Sequence, residues 1–284
     1  MADGDIHFER LSKLTELIAG GDYDQVNSLL EMTSGSDTPP KIAALAEAIG
    51  HMVVQIEARE WRLELLIKNL LAANLTTLEL LGAAVAKRDS DTGAHNFRVA
   101  IYAVRLAEAA GLDGAAIRGL IKGAFLHDVG KIGITDQILL KPGKLDADEF
   151  TIMKTHVQHG VDIVAKAPWL EDAVDVVRCH HEKFDGSGYP AGLVGEAIPI
   201  NARIFAIADV FDALTSRRPY KEPMSVEKSL GIIAESSGSH FDPKLVAVFK
   251  PLASVLYADI SSKEEDELSG VMRGMVDVYF EDAS

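Results

Sequence analysis

Positive charge is what this chain most lacks. Its 28 Lys and Arg residues stand against 43 Asp and Glu, a formal net charge of −15 over 284 residues. Such a surface repels DNA, RNA and anionic membranes, so broad nucleic-acid binding is not expected, although a local cluster of cations could still hold a small phosphate ligand. Cysteine is reduced to one residue, Cys179, which excludes an intramolecular disulfide and fits a reducing cytoplasm, the expected location. No apolar run approaches the length of a membrane span. The stretch from Met1 to Arg10 carries acids and no apolar block, unlike a signal peptide. Internal repeats and low-complexity tracts are missing too. So is any run of alternating apolar and polar residues that would argue for a sheet.

What is present is the balance of an ordinary globular protein, 48% hydrophobic and 25% charged, written almost wholly in helical periods. Phe8, Leu11, Leu14 and Ile18 mark a first helix ended by Gly20-Gly21, and a weaker one surrounds Val26, Leu29 and Leu30. Residues 33–40 read as a linker. Ile42, Leu45, Ile49, Met52, Ile56, Leu63, Leu66, Leu70 and Leu80 then keep an alternating three-and-four spacing, with Arg59, Ala73 and Thr77 as its weak positions. A 3.5 period held that long favours a coiled coil and a homodimer over the alternative, an amphipathic helix lying on its own domain, since no neighbouring element is evidently free to cover the seam. Helix, Gly-Gly break, linker and longer helix loosely resemble a HAMP-type signalling module.

Further helices are predicted at 98–110, 115–126, 147–159, 171–181, 202–215, 225–236, 243–256 and 264–279, the last packing back through Val271, Met275 and Val278. The expected organisation is all-α: a helical regulatory or dimerisation region over 1–74, then a catalytic helical domain over 75–284.

Five of the nine histidines sit in chemically loaded contexts: His95, His127, His156, His180 and His181. Asp209 lies in the apolar run Ile204 to Phe211, where an unpaired buried carboxylate costs several kcal/mol, so a cation is expected to face it. A buried Arg or Lys would serve; with five histidines also seeking partners, a metal is the better reading. His127-Asp128 ends a helix, and helical neighbours point about 100° apart, so both reach one centre only if it lies at the helix end. Asp128, with two oxygens, could bridge two cations, and Gly130 would let the chain turn sharply. His180-His181 offers two imidazoles suited to transition metals. His159 reads as solvated, His7, His51 and His240 receive no chemical role, and Cys179 reads as a small buried helix residue rather than a nucleophile.

These residues also fall into motifs. His127-Asp128-Val129-Gly130-Lys131 resembles the HD-x-G-K signature of HD-superfamily phosphohydrolases. His180-His181-Glu182 followed by Asp185-Gly186-Ser187-Gly188-Tyr189-Pro190 is similar to the HHE-x-x-DGxGYP segment of the HD-GYP family. Lys141 to Lys144, Met153 to His156, Ala208 to Ser216, Arg218 to Lys221 and Phe241 to Pro243 match in residues and order, and the likeness covers about 75–251.

The resemblance implies an all-helical HD domain holding two or three divalent metals, usually iron or manganese. It implies a phosphodiesterase that hydrolyses cyclic di-GMP to pGpG, GMP or both through a metal-bridging hydroxide. By motif match the metal ligands would be His95, His127, Asp128, His156, His180, His181 and Asp209, and the catalytic groups Asp128 and Lys131. Gly188, Tyr189 and Pro190 would lie at the substrate, and Lys131, Arg218 and Lys221 would bind its phosphates. Tyr189 could stack on a guanine or simply pack the loop. Glu182, Asp185 or a metal-bound water remain open as the general acid, and Asp212 is expected behind the ligands. The chain departs from the family at 83–89, where no acid precedes Arg88; family members that hold a third metal carry a glutamate there, so two metals are expected. Ala94 stands where glycine is common. The alternatives are an HD phosphohydrolase acting on another nucleotide, and a non-catalytic cyclic di-GMP sensor or interaction module.

Overall fold

The computed structural model describes residues 2–34, 37–88, 93–217 and 222–281. Among these there is no strand, only two isolated bridges, Asp185 with Val194 and Ser237 with Phe241, so the fold is all-α as expected. The chain divides into two compact units, Met1–Ala72 and Ala73–Ser284.

The first unit contains α1 (Ala2–Ala19), α2 (Val26–Ser34) and most of the long helix α3 (Pro40–Arg88). Leu11, Leu14 and Ile18 of α1 join Leu29 and Met32 of α2 over Ala46 and Val53 of α3, with Ile42 and Ile49 packed against them. The early part of the seam is therefore covered within the chain, contrary to the expectation that nothing nearby could cover it. From Ile56 onward Leu63, Leu66 and Leu70 stand exposed, together with Trp61 and Ile67. By length and composition alone, α3 also contains an 18-residue stretch apolar enough to cross a membrane.

The second unit packs α4 (Gly93–Ala109) against α5 (Gly114–Leu126) and α10 (Ile200–Thr215). Around these lie the short α6 (Asp136–Leu139), α7 (Ala147–Lys154), α8 (His156–Val164), α9 (Val174–Cys179) and α11 (Val226–Glu235), with α12 (Pro243–Ile260) and α13 (Glu265–Glu281). Sequence marks their starts. Asp113 caps α5 by accepting from the Ala116 amide at 2.8 Å. Asp146 and Glu149 close a reciprocal capping box on α7, and Asp242 caps α12 ahead of Pro243. The helix predicted over 147–159 breaks at Thr155, which ends α7 and opens α8. On α13 Leu268, Met272, Met275 and Val276 are buried, whereas Val278 is exposed rather than packed.

Candidate metal centre

Three of the histidines lie where helices end or begin. His127 is the C-terminal cap of α5, and its ring Nδ1 faces the Ala124 carbonyl at 2.9 Å. His180 caps α9, with Nδ1 between the Val176 and Val177 carbonyls at 3.2 and 3.1 Å. His156 opens α8, with Nδ1 on the Met153 carbonyl at 2.7 Å. A carbonyl only accepts, so each Nδ1 carries the proton and donates it, and in His156 and His180, which burial keeps neutral, an unprotonated Nε2 turns inward.

Asp128 follows α5 at the start of the 3-10 turn Val129–Gly133. Its Oδ1 lies 3.5 Å from His156 Nε2 and 3.9 Å from His180 Nε2. Its Oδ2 lies 3.0 Å from His127 Nε2 and 2.7 Å from the Lys131 ammonium. Gly130 is needed here for close approach rather than for a sharp turn: a Cβ would fall 1.8 Å from the His156 carbonyl oxygen and 2.4 Å from the Gly160 nitrogen.

Asp128, His156, His180 and His181 each bring one ligand atom within 4.8 Å of the others. Their electrostatics suit a cation. His180 is driven well below the usual histidine range by burial and by its neighbours His181 and His127. His181 is lowered to about 3 by burial and His156, and burial also lowers His156. The Nε2 atoms of His156 and His180 face each other at 3.4 Å. Two unprotonated nitrogens and a carboxylate oxygen converge with no proton to share, and the donor set therefore fits a divalent metal. Across Asp128 the balance differs. Burial opposes charge on both partners, yet the Asp128 carboxylate raises His127, and His127 with Lys131 holds Asp128 well below the carboxylate range.

His95 and Asp209 form a second group beside the first. His95 Nε2 lies 3.5 Å from Asp209 Oδ1, and the His95 and His127 rings are 6.4 Å apart. The expectation of a buried Asp209 is corrected: its side chain is 34% exposed. The buried carboxylate of α10 is Asp212, 1% exposed. It accepts from His95 Nδ1 at 2.7 Å, from Arg98 at 2.6 and 3.1 Å, and from the Ser216 hydroxyl at 2.9 Å. Burial would raise its pKa; these bonds outweigh that and hold it at about 2. Sequence reasoning placed Asp212 behind the ligands but missed Arg98. The signal was there, since His95 and Arg98 on α4, and Asp209 and Asp212 on α10, each stand three apart on one helix face.

The Gly188-Tyr189-Pro190 loop folds over His181. A Cβ on Gly188 would sit 2.4 Å from the Lys183 nitrogen, so the loop passes where only glycine fits. The Tyr189–Pro190 peptide is cis. Tyr189 stacks on His181 at 4.6 Å with rings 26° apart, and Phe150 meets its edge at 6.0 Å. Of the two expectations for Tyr189, the packing role is the one the structure displays. Glu182 is corrected as a general-acid candidate: it is buried, and its carboxylate accepts from the amides of Ala191, Gly192 and Leu193 at 2.7, 3.1 and 3.1 Å. Asp185 accepts the Ser187 amide within its own turn. Lys131 reaches Asp128, while Arg218 and Lys221 lie outside the described residues. His159 is exposed as expected, and burial raises the Cys179 thiol to about 11, which leaves it inert.

The sequence model of the HD domain family matches residues 79–245. A cyclic di-GMP phosphodiesterase of Vibrio cholerae serotype O1 is 47% identical over 184 residues, 60% of this chain and 37% of the relative. A 3'3'-cGAMP-specific phosphodiesterase of the same organism is 49% identical over 168 residues, 58% of this chain and 32% of the relative. The chain thus spans about a third of the length of these curated relatives. A crystal structure of a cyclic GMP-AMP-specific phosphodiesterase of V. cholerae shares the fold, with a TM-score of 0.55, 22% identity, and coverage of 69% of this chain and 53% of that one. With the family's domain matched over more than half its length, and its paired histidines and GYP loop assembled around Asp128, the chain belongs to the HD-domain family, in the HD-GYP branch.

Proposed function

We propose that this chain is a metal-dependent phosphodiesterase that opens cyclic di-GMP, releasing pGpG, GMP or both. The observation that carries this reading is the convergence of Asp128 with His156, His180 and His181. His127, His95 and Asp209 would complete the ligands, with Asp128 turning one oxygen to each histidine group. The metals, when bound, lower the pKa of an attacking water and hold the phosphate's non-bridging oxygens. The imidazole and carboxylate set suits iron or manganese. A cavity of about 10 Å³ beside His95, His127 and Asp128 is walled by Gly82, Val85 and Ala86; these offer no ligand atom, which supports two ions rather than three.

The chain's own groups do the rest. Lys131, held 2.7 Å from Asp128, supplies positive charge where a phosphate would gain negative charge. Arg218 would grip a phosphate with paired hydrogen bonds and Lys221 would add a point charge. The Gly188 to Pro190 loop would wall the substrate while Tyr189 keeps His181 oriented. Glu182 fixes that loop and gives up no proton. The exposed seam from Ile56 to Leu70 supports a homodimer, and the single cysteine supports a cytoplasmic setting.

A second reading keeps the reaction and changes the substrate to 3'3'-cGAMP, favoured by the 49% identical relative. Purified protein loaded anaerobically with iron(II) or manganese(II) should linearise cyclic di-GMP, followed by chromatography of the products. Faster turnover of 3'3'-cGAMP would select the second reading. Tight binding at full metal occupancy without product from either would overturn both in favour of a sensor.

A further inference from the structure

We infer that Arg88 is a positioning residue that sets where the Lys131 ammonium stands. Arg88 is the last residue of α3. Its Nη1 donates to the carbonyls of Lys131 at 2.9 Å and Ile132 at 3.1 Å. Its Nη2 donates to the Ile134 carbonyl at 2.6 Å and Asp136 Oδ1 at 2.7 Å, and its Nε reaches the same Asp136 oxygen at 3.2 Å. A guanidinium has five N–H donors in a rigid fork, and each has a partner here. Three of the contacts fall on the main chain just after Asp128.

That segment is gripped from two sides. Gly130 is wedged against the backbone of His156 and Gly160, and Arg88 ties down the carbonyls that follow. Between the two anchors hangs Lys131, whose Nζ meets Asp128 Oδ2 at 2.7 Å. The same end of α3 supplies Gly82, Val85 and Ala86 to the cavity beside His95, His127 and Asp128. A change at this helix end is therefore felt by the Lys131 arm as well as by the wall of the site. The bland alternative is a surface ion pair with Asp136, whose side chain is 69% exposed and would add little. Lysine could make that pair but could not span three carbonyls and a carboxylate, because its three donors sit on one atom.

The consequence for turnover rests on the phosphodiesterase reading; the hold on the backbone does not. Hydrogen exchange of the metal-loaded full chain, read on a peptide covering 129–136, separates them. Arg88→Ala and Arg88→Lys should each speed exchange there about tenfold or more, whereas Asp136→Asn should leave it close to the starting protein. Unchanged exchange in Arg88→Lys overturns the inference, and that variant carries the test if Arg88→Ala fails to fold. With cyclic di-GMP, kcat should fall about 10- to 100-fold in Arg88→Ala, and Arg88→Ala combined with Lys131→Ala should be no slower than Lys131→Ala alone. Additive losses would overturn action through Lys131. If the unsubstituted protein hydrolyses no cyclic dinucleotide, the phosphodiesterase reading fails and the exchange result still decides the role of Arg88.

Discussion

His95 stands between two carboxylates of one helix, its Nδ1 2.7 Å from Asp212 and its Nε2 3.5 Å from Asp209. The inner carboxylate accepts from Nδ1 and orients the ring, and Arg98 balances the inner charge. Asp212→Asn keeps the shape but weakens both bonds. It should lower metal affinity about 10- to 100-fold, measured by titrating metal into chelated protein. Unchanged affinity would remove Asp212 from the site.

The metal-free protein should lose stability as pH falls. His181 has a folded pKa of about 3 against 6.5 for the free side chain, and His156 and His180 are lowered as well. Between those values the unfolded chain binds more protons than the folded one, so unfolding is favoured as pH drops below about 6.5. Asp212, at about 2 against 3.8, adds a loss of the same sign at lower pH. Thermal melts of chelated protein from pH 7.5 to 4.5 should show a falling Tm. A flat profile would contradict the burial assigned to these rings.

Glu182 holds the loop through the amides of 191–193. Glu182→Gln keeps one acceptor oxygen for the 191–193 amides and should cost about 1–3 kcal/mol of stability in a denaturant melt. The alkaline limb of the kcat profile, which a general acid would set, should stay where it is. Its disappearance would restore Glu182 as the general acid.

The seam on α3 should pair two copies of the chain. Leu63, Leu66 and Leu70 are 58%, 55% and 63% exposed, and burying such side chains is worth about 1.5–3 kcal/mol each. Leu66→Glu should convert a dimer to a monomer in sedimentation analysis at micromolar concentration, with the metal content of the second unit unaltered. An unsubstituted protein that sediments as a monomer would defeat the pairing.

The helices were legible because their apolar periods and caps are local. Asp113, Asp146 and Asp242 announce their helices within four residues. The break at Thr155 was not legible, because the apolar spacing runs through it and the cause is tertiary: the main chain of α8 must meet Gly130. Within the site, residue types and motif order marked the residues that converge, but not which were buried. Asp209 looked enclosed because its neighbours are apolar, yet the helix leaves it partly exposed and hides Asp212 instead. The roles of Glu182 and Arg88 were out of reach for a related reason. Both act on backbone groups, at 191–193 and 131–134, and main-chain acceptors and donors leave no mark in a string of side chains.

The histidine bonds to Ala124, Met153 and Val176 tie three candidate ligands to carbonyls at three helix C-termini. Each such terminus carries a partial negative charge before any side chain is counted. The fold thus presents an electronegative bowl, and the Lys131 ammonium beside it is already turned to Asp128. A doubly charged dinucleotide approaching it would be repelled. On the phosphodiesterase reading, occupation would be ordered: cations would load first and reverse the sign of the bowl, and the phosphodiester would follow.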